Sequence, residues 1–372
     1  MATRRVAYSH NTWYHFWGPL HRCAILAIPM NQLIKLFVIL AAFFHSRFTV
    51  FSHDHKTKRA DSHAPIAVMG DHTHKTGGAM LSYRYIHMTM SGLASDDNGL
   101  GMNELFSQGY SVHVDHMDMQ MHMVGAMYAP SDKLTLAGML MYNRNTMDGR
   151  MKMEMGGGGM HMSKMMKHSM ESDGLGDLRL SGLYKIADYG RTKIHLNLGL
   201  SLPTGSTDEK QDGMLLAYPM QLGSGTWDLL PGVTYNAQTE VLSWGAQMSG
   251  NIRTGSDNGY SLGNFGQVQA WLAKSWLPQL STSLRINNEF WGSTNGEDSR
   301  LAMAKTKNPL SDGDLQGGFR SELGLGINYY HQTGSLAGHR LAVEFIFPIH
   351  EDFDGIQMER EWSLFLGWQY AL

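Results

Sequence analysis

The feature that most restricts the fold of this chain is a two-residue alternation of apolar and polar side chains. It is clearest at 192–202, where Ile194, Leu196, Leu198 and Leu200 alternate with polar or very small residues. A helix would spread these side chains around all of its sides, whereas a strand places them on one face. The alternation therefore predicts β-strands that each have one apolar face.

Segments of this kind recur along the chain, and the connections between them are alternately short and long. A transmembrane barrel with tight periplasmic turns and longer extracellular loops requires this order, and its closure leaves no unpaired edge strand. We therefore predict an all-β fold, a transmembrane antiparallel β-barrel of twelve strands; a soluble β-sandwich or jelly roll is the alternative. The predicted strands lie at about 78–90, 116–129, 133–145, 174–187, 192–202, 225–236, 239–254, 263–276, 279–292, 315–330, 338–350 and 361–372.

The beginning of the chain has the pattern of an export signal. An apolar stretch at 33–44 follows Met30, and small side chains permit cleavage after Ser52. A retained N-terminal anchor is the alternative. We expect an N-terminal extension and signal peptide at 1–52, a periplasmic segment at 53–77 and the barrel at 78–372.

The last predicted strand ends the chain with alternating aromatic and aliphatic residues. It resembles the C-terminal assembly signal of bacterial outer-membrane proteins, although Leu372 stands where phenylalanine is more usual. We expect the protein in the outer membrane of a Gram-negative bacterium, with both termini periplasmic, and with outer-membrane lipid and the barrel-assembly machinery as partners. The residues expected to face lipid are Trp362, Leu364, Leu366, Trp368 and Tyr370.

The composition argues against several other classes of protein. The chain has 30 Lys and Arg against 33 Asp and Glu, so it lacks the basic excess that a nucleic-acid partner requires. Its one cysteine, Cys23, precedes the predicted cleavage site, which excludes a disulfide scaffold and a cysteine-based metal site. The sequence contains no HExxH motif, so we do not expect an enzyme.

The polar residues of the predicted strands are expected to face the lumen, because a charge on the lipid face is costly. One interpretation is a salt-bridged interior that holds the wall together, and the other is a pore lining that selects solutes. The expected pore-lining residues are Arg84, Asp118, Gln120, His122, Arg179, Lys193, His195, Arg253, Arg285, Glu289, Arg320, Glu322, Arg340 and Glu344.

Methionine and histidine are concentrated between residues 69 and 170, where 21 of the 28 methionines lie. Thioether sulfur is a soft metal ligand and imidazole a borderline one, and this mixture suits copper, above all Cu(I). Three patches stand out: one before the first strand at 69–74, one on the second strand at 113–123 and one in a glycine-rich loop at 147–170. The candidate metal ligands are His72, His74, His113, His116, Met151, Met153, Met155, Met160, His161, Met162 and His168.

The three patches also have other interpretations. On the second strand, the methionines from Met117 to Met127 share one face, and lipid-facing hydrophobic packing is their simplest role. In the loop, metal binding or oxidant scavenging competes with compositional drift, since a loop has no core for methionine to fill. The first patch lies on the periplasmic side, apart from the other two unless it reaches through the lumen.

Three stretches carry a family resemblance: APIAVMGDHTHK at 64–75, MLSYRY at 80–85 and MQMHMVGAMYAP at 119–130. They resemble a family of Gram-negative outer-membrane transporters of the phenol-degradation meta-pathway type. The resemblance covers roughly residues 64–372 and implies an outer-membrane barrel, distantly similar to channels for hydrophobic compounds. It implies no catalytic residues, and it leaves a phenolic substrate as one option.

These observations favour an outer-membrane channel or transporter for small solutes, with hydrophobic or aromatic compounds among the candidates. The alternative is a surface metal-binding protein of the copper type, whose barrel anchors Met- and His-rich loops. A barrel enzyme is a third class, but no nucleophile can be paired with a base from the sequence. A conductance measurement separates the first class from the second.

Overall fold

The structure, a computed structural model, describes residues 59–156 and 161–372. Almost all of its regular secondary structure is β. The strands are β1 (Ala79–Asp96), β2 (Asn98–Leu100), β3 (Val112–Ser131), β4 (Leu134–Gly156), β5 (His161–Leu175), β6 (Leu178–Asp188), β7 (Thr192–Leu202), β8 (Lys210–Gln211), β9 (Met214–Leu215), β10 (Trp227–Gln238), β11 (Leu242–Thr254), β12 (Tyr260–Ser261), β13 (Phe265–Leu277), β14 (Leu280–Trp291), β15 (Asn295–Gly296), β16 (Gly318–Tyr330) and β17 (His339–Ala371).

In residues 59–156 and 161–372, helical structure is confined to short pieces outside the barrel wall. Within the described ranges, no helix is both long and apolar enough to cross a membrane. The helical pieces are the α-helix α1 (Met102–Ser107) and the 3₁₀ turns Ala60–Ser62, Tyr218–Met220, Ser299–Leu301, Pro309–Ser311, Gly313–Leu315 and Gly334–Leu336.

The long strands form one closed antiparallel ring. Its order is β17-β16-β14-β13-β11-β10-β7-β6-β4-β3-β1, and β17 closes it by pairing with β1. Two further strands of the same sheet lie off the ring, β2 beside β1 and β5 beside β4, and β8–β9 and β12–β15 form two separate two-stranded sheets. The prediction of an antiparallel barrel is confirmed, because every edge of the ring is paired.

The two ends of the barrel differ in their connections. One end carries the short turns, such as those at 132–133, 189–191 and 239–241, and we call it the turn end. The other end carries the longer connections, and we call it the loop end. Strand β17 rises from the turn end along β16 and returns along β1, with Phe353 opposite both Gly318 and Asp96. Eleven ring elements therefore make twelve passages through the wall, close to the predicted strand positions.

The outer surface of the wall is apolar along most strands, which is what contact with lipid tails requires. On the second part of β17, Leu366 is 38% exposed on the outer face, whereas Gln369 is 2% exposed and faces the lumen. There Gln369 accepts a hydrogen bond from Arg340 at 2.5 Å. The structure therefore gives the terminal strand the two faces that its alternation predicts.

Strand β3 has the opposite orientation to the one predicted. The alternation predicts that its methionines face lipid, but Met117 is 0% and Met123 4% exposed, and both side chains point inward. The physical reason is that the lumen beside β3 is itself apolar, so the rule of polar residues inside fails there. Asp118 and His122 consequently lie on the outer face, which they share with the half-exposed Tyr128.

The polar side chains on the outer face of β3 bind one another and neighbours on β1. Asp118 accepts hydrogen bonds from Thr89 at 3.0 Å and lies 2.9 Å from Nε2 of His87. The hydroxyl of Tyr83 lies 2.7 Å from Nδ1 of His122. This mutual hydrogen bonding lowers the cost of placing polar groups on an outer face.

An apolar cluster occupies the inside of the barrel at the loop end. Side chains of α1, the upper strands and the long connections meet there, which explains the inward methionines of β3. Its buried members are Leu93, Leu100, Leu105, Val114, Met117, Met147, Leu216, Ala217, Met220, Leu310, Ile356 and Met358.

The methionine-rich stretch 147–170 is predicted as a glycine-rich loop, and this prediction is wrong. The chain continues as a β-hairpin in which β4 pairs with β5 from Tyr142↔Leu175 to Gly156↔His161. In this register Met147 is opposite Met170, and Met151 is opposite Met166. The alternation of methionine with polar residues along β4 favours a strand, although Gly149 lies within it.

Candidate functional site

The N-terminal segment, residues 59–78, crosses the lumen and contacts strands all around the ring. The sequence predicts a periplasmic segment here; the structure places it inside the barrel at the turn end. Nε2 of His195 lies 2.9 Å from the carbonyl oxygen of Gly70, and Gln247 donates to that of Met69 at 2.9 Å. On the other side of the ring, Arg340 donates to the carbonyl of Ala64 at 2.7 Å. These bonds satisfy backbone groups that a strandless segment leaves unpaired.

The entry and exit of this segment are fixed to turns at the turn end. The amide of Ala60 donates to the carbonyl of Pro278 at 3.0 Å. At the exit, the amide and the hydroxyl of Thr76 both donate to Asp132, each at 2.8 Å. These hydrogen bonds, the backbone one first, lower the pKa of Asp132 below its ordinary value, so the anchor is a carboxylate at neutral pH.

Apolar contacts complete the docking of the segment. Ala64 and Val68 are buried against Trp271 of β13. Ile66, 1% exposed, lies over Gly367, where a Cβ would come within 2.4 Å of its side chain. Position 367 is therefore restricted to glycine by the close approach of Ile66.

Charged side chains line the wall from the segment toward the loop end. Arg285 donates to Glu344 at 2.7 Å, and Glu344 also accepts from the amide of Ala67 at 2.9 Å. Farther along, Arg320 lies 3.2 Å from Glu289 and 2.5 Å from Glu351. Arg360 pairs with Glu322 and Arg253 pairs with Asp228. The wall is thus built of complementary pairs rather than of one sign of charge.

A chamber of about 630 Å³ lies between the N-terminal segment and the loop end. One wall is apolar and comes from β1, β3 and β4; it includes Met80, Ile86, Met88, Met121, Met123, Met127, Met139 and Met141. The polar groups come mainly from other strands and include Arg179, Asn251, Arg253, Gln267, Glu289 and Arg360. The floor is the N-terminal segment itself, with Ala67, Met69, Gly70 and Asp71. A concave, mostly apolar site with a few convergent polar groups is the usual form of a small-molecule site.

Most of the expected pore-lining residues do face the lumen. Lys193 shares the inward alternation of His195 and lies exposed near the turn end. Three expected residues, Asp118, Gln120 and His122, lie on the outer face of β3, for the reason given above. The inward-facing ones are Arg84, Arg179, Lys193, His195, Arg253, Arg285, Glu289, Arg320, Glu322, Arg340 and Glu344.

The candidate metal ligands do not form one site. His72 and His74 lie in the N-terminal segment, with ring centroids 4.8 Å apart. His113 and His116 lie on the part of β3 nearest the loop end, beside Asp115 and Asp118 respectively. On the hairpin, Met151, Met153 and His168 share one face with Met166 in the β4–β5 register. Met160 lies outside the described residues, as do the side chains of Met155, His161 and Met162.

Several residues of this region carry no signal that the sequence alone would reveal. Trp271 is one of nine tryptophans, and only the structure shows that it packs on the N-terminal segment. His63 and Asp71 lie near His72, with ligand atoms within 4.8 Å of one another. His63 stands nine positions before His72, a spacing that matches no familiar metal motif.

The closed ring, the apolar outer surface and the filled lumen define an outer-membrane β-barrel of the class found in Gram-negative bacteria. The family described as "Putative MetA-pathway of phenol degradation" matches residues 149–335, half of the chain. The chain therefore belongs to this family. No curated protein matches it.

Among solved structures, the barrel is similar to an outer membrane channel from Pseudomonas putida F1. That match has 12% identity, covers 82% of this chain and 100% of that one, and has a TM-score of 0.57. A Pseudomonas aeruginosa FadL homologue also matches, at 11% identity over 79% of this chain and 90% of that one, with a TM-score of 0.39. At these identities the similarity concerns the fold alone.

Proposed function

We propose that this barrel is an outer-membrane channel for small amphipathic molecules, with aromatic compounds of the phenol type as the preferred class. The observation that carries the proposal is the chamber, which sets a methionine wall against hydrogen-bonding and charged side chains. Methionine sulfur makes favourable contacts with aromatic rings and adapts to their shape. The polar groups can accept or donate to a hydroxyl, so a ring with one polar substituent fits both walls.

The size of the chamber supports a small solute. About 630 Å³ lies within the range of about 300–1,000 Å³ that is usual for sites of small ligands. The family description, which names phenol degradation, and the barrel of the Pseudomonas putida channel both agree with this class. We also propose that the turn end faces the periplasm, so that both termini lie there, and that the barrel-assembly machinery inserts the protein.

The route of the solute passes the N-terminal segment, which crosses the lumen at the turn end. Its docking rests on hydrogen bonds such as those from His195 and Gln247, each of which contributes only about 0.5–1.5 kcal/mol net. A segment held by many weak bonds can shift without unfolding the barrel. We therefore expect conductance to depend on how firmly the segment is docked.

Single-channel recording of the protein in planar bilayers tests this proposal. Phenol added to the bath should reduce the ion current, because it would occupy the chamber. Replacing Met121, Met123 and Met141 together by Gln keeps their length but makes the wall polar, and should weaken the block. The matched control is Met303→Gln, at a loop position that is 79% exposed. An absence of current, or an equal block in both variants, would contradict the proposal.

A second candidate function is soft-metal binding by the β4–β5 hairpin. The observation that favours it is the register, which brings methionines of both strands together on one face, with His168 beside Gly149. Thioether ligands on adjacent strands, about 5 Å apart, can converge on one Cu(I) ion. The barrel would then be an anchor for the hairpin.

A further inference from the structure

A group of metal-ligating side chains lies in the N-terminal segment, beneath the chamber. His63, Asp71 and His72 offer ligand atoms that all lie within 4.8 Å of one another. Nδ1 of His72 is 2.7 Å from one carboxylate oxygen of Asp71, and Nδ1 of His63 is 3.7 Å from the other. The rings of His63 and His72 stand edge to face, with centroids 4.2 Å apart.

The fold holds this group in place from both sides. The segment doubles back so that the amide of Ala64 donates to Asp71 at 3.0 Å, which joins its two arms. The wall then fixes the second arm, because Asn236 donates to the backbone oxygen of Asp71 at 2.5 Å and His195 contacts that of Gly70. The carboxylate of Asp71 is only 6% exposed. The barrel wall therefore holds the backbone beside Asp71 and His72, and the bond from Ala64 to Asp71 keeps the neighbouring His63 close to both.

The hydrogen bond between Asp71 and His72 decides the tautomer of the imidazole. If Nδ1 of His72 donates to the carboxylate, its Nε2 has an open lone pair. This Nε2 atom is buried, and among the described residues it has no hydrogen-bond partner. Metal-bound histidines commonly have this arrangement, with one nitrogen on a carboxylate and the other on the ion. A buried imidazole nitrogen without a partner is otherwise costly.

We propose that His63 and His72 bind a divalent transition-metal ion of the zinc type, with Asp71 as the carboxylate that orients His72. Imidazole nitrogens are ligands that Zn²⁺ accepts, at about 2.0–2.1 Å. Tetrahedral ligands at those lengths lie about 3.4 Å apart, so rotation of the two rings would bring a nitrogen of His63 toward Nε2 of His72. Water or His74, whose ring packs on His72, can take a further position.

The ion would cross-link the N-terminal segment. It joins residue 63 to residue 72, and so closes the loop on which the floor of the chamber is built. Arg340 contributes a positive charge nearby and opposes the ion. Its guanidinium, however, is engaged by Ala64, Asn328 and Gln369, and the carboxylate of Asp71 offsets part of the repulsion. Binding at this site does not require that the barrel conduct.

The test is a titration of the full chain, folded in detergent and stripped of metal, with Zn²⁺ by calorimetry and with Co²⁺ by visible absorption. The double variant His63→Ala/His72→Ala should bind one equivalent fewer than the parent and should lose the absorption of tetrahedral Co²⁺. Asp71→Asn should retain the site but weaken it about 10-fold or more. The matched control, His113→Ala/His116→Ala on the part of β3 nearest the loop end, should leave this equivalent unchanged.

Two results would overturn the proposal. One is the same stoichiometry and Co²⁺ spectrum in the parent and in the His63→Ala/His72→Ala variant. The other is no tetrahedral Co²⁺ absorption in the parent. The altered gel mobility of folded barrels shows whether each variant is folded. If the double variant does not fold, the single variant His63→Gln, at a half-buried position, takes its place and is judged by the same spectrum. Because no conductance is measured, failure of the channel proposal would leave this test intact.

Discussion

Nε2 of His195, on strand β7, lies 2.9 Å from the carbonyl oxygen of Gly70 in the N-terminal segment. His195 is 2% exposed, and its neighbour on the same face, Asn197, donates to the same oxygen at 3.3 Å. Gly70 has a positive φ of 60°, which turns the chain toward this wall and which glycine adopts without strain. One wall strand thus holds the segment at the point where it bends.

The first prediction concerns this contact. His195→Ala removes the main donor to Gly70 and leaves a cavity, so we expect a loss of about 1–3 kcal/mol in unfolding free energy. If the segment restricts the lumen, the variant should also conduct more ions. Denaturant unfolding and bilayer recording measure the two effects. Lys193→Ala, on the same face but exposed near the turn end, is the control and should change neither. Equal behaviour of the two variants would show that the contact does not hold the segment.

The second prediction concerns the most buried charge pair of the wall. The side chains of Arg285 and Glu344 are 3% and 0% exposed. Arg285→Ala leaves the buried carboxylate of Glu344 without its positively charged partner. It should lower the unfolding free energy by about 3–5 kcal/mol. Breaking the exposed pair of Arg191 and Glu240 by Arg191→Ala should cost about 0–1 kcal/mol. Denaturant unfolding in detergent compares the two. A similar small loss in both would mean that water reaches Glu344 freely.

The third prediction tests the two faces of strand β13. Leu272 is 48% exposed on the outer face, four residues from Trp276 toward the loop end. Leu272→Arg should cost about 2–4 kcal/mol if that position lies near the membrane midplane. Gln267→Arg places the same charge in the chamber, opposite Glu289 in the β13–β14 register, and should cost less. Unfolding of both variants in lipid vesicles checks the order, and the reverse order would contradict the assignment of faces.

The structure also decides which luminal position can serve as that control. Gln369 has the right alternation, but it is 2% exposed and accepts a hydrogen bond from Arg340. An arginine there would bring two guanidinium groups together, and the loss would not report on the lumen. Gln267 lines the open chamber and has a carboxylate nearby. The sequence predicts on which face of a strand a residue lies, but it does not predict which side chains surround that residue in the lumen.

The strand positions are predictable from sequence because alternation and turn length are local signals. The terminal strand shows this: Leu366 and Gln369 lie on the faces that their spacing requires. The face of β3 is not predictable in the same way. Its alternation of Met with Asp, Gln and His clearly defines two faces. Which of the two points into the lumen depends on whether the lumen beside it is hydrated or apolar. That depends on Leu105, Met220 and Leu310, which come from distant parts of the chain.

The N-terminal segment illustrates a second limit of sequence analysis. Residues 59–78 have no alternation, so nothing local predicts that they enter the barrel. Their position depends on hydrogen bonds to side chains far along the chain, such as the one from Arg340 to Ala64. The contact of His63 with His72 and Asp71 follows from that position. Tertiary contacts of this kind leave no periodic trace in the sequence.

The last prediction concerns the methionine-rich hairpin of β4 and β5, where soft-metal binding remains a proposal. Replacing Met151, Met153, Met155, Met160 and Met162 together by Leu removes the sulfur but keeps bulk and hydrophobicity. The barrel should fold normally, because leucine can occupy paired strand positions and the hairpin extends beyond the ring at the loop end. Ag⁺, a surrogate of Cu(I), should bind the parent more tightly than Zn²⁺ does at these residues, since thioethers are soft ligands. Calorimetry should show Ag⁺ binding fall sharply in the leucine variant. The control, Met214→Leu/Met303→Leu, changes two methionines that are 69% and 79% exposed elsewhere and should bind as the parent does. If the leucine variant binds Ag⁺ as well as the parent, the methionines of the hairpin are not ligands and the channel is the one function left to test.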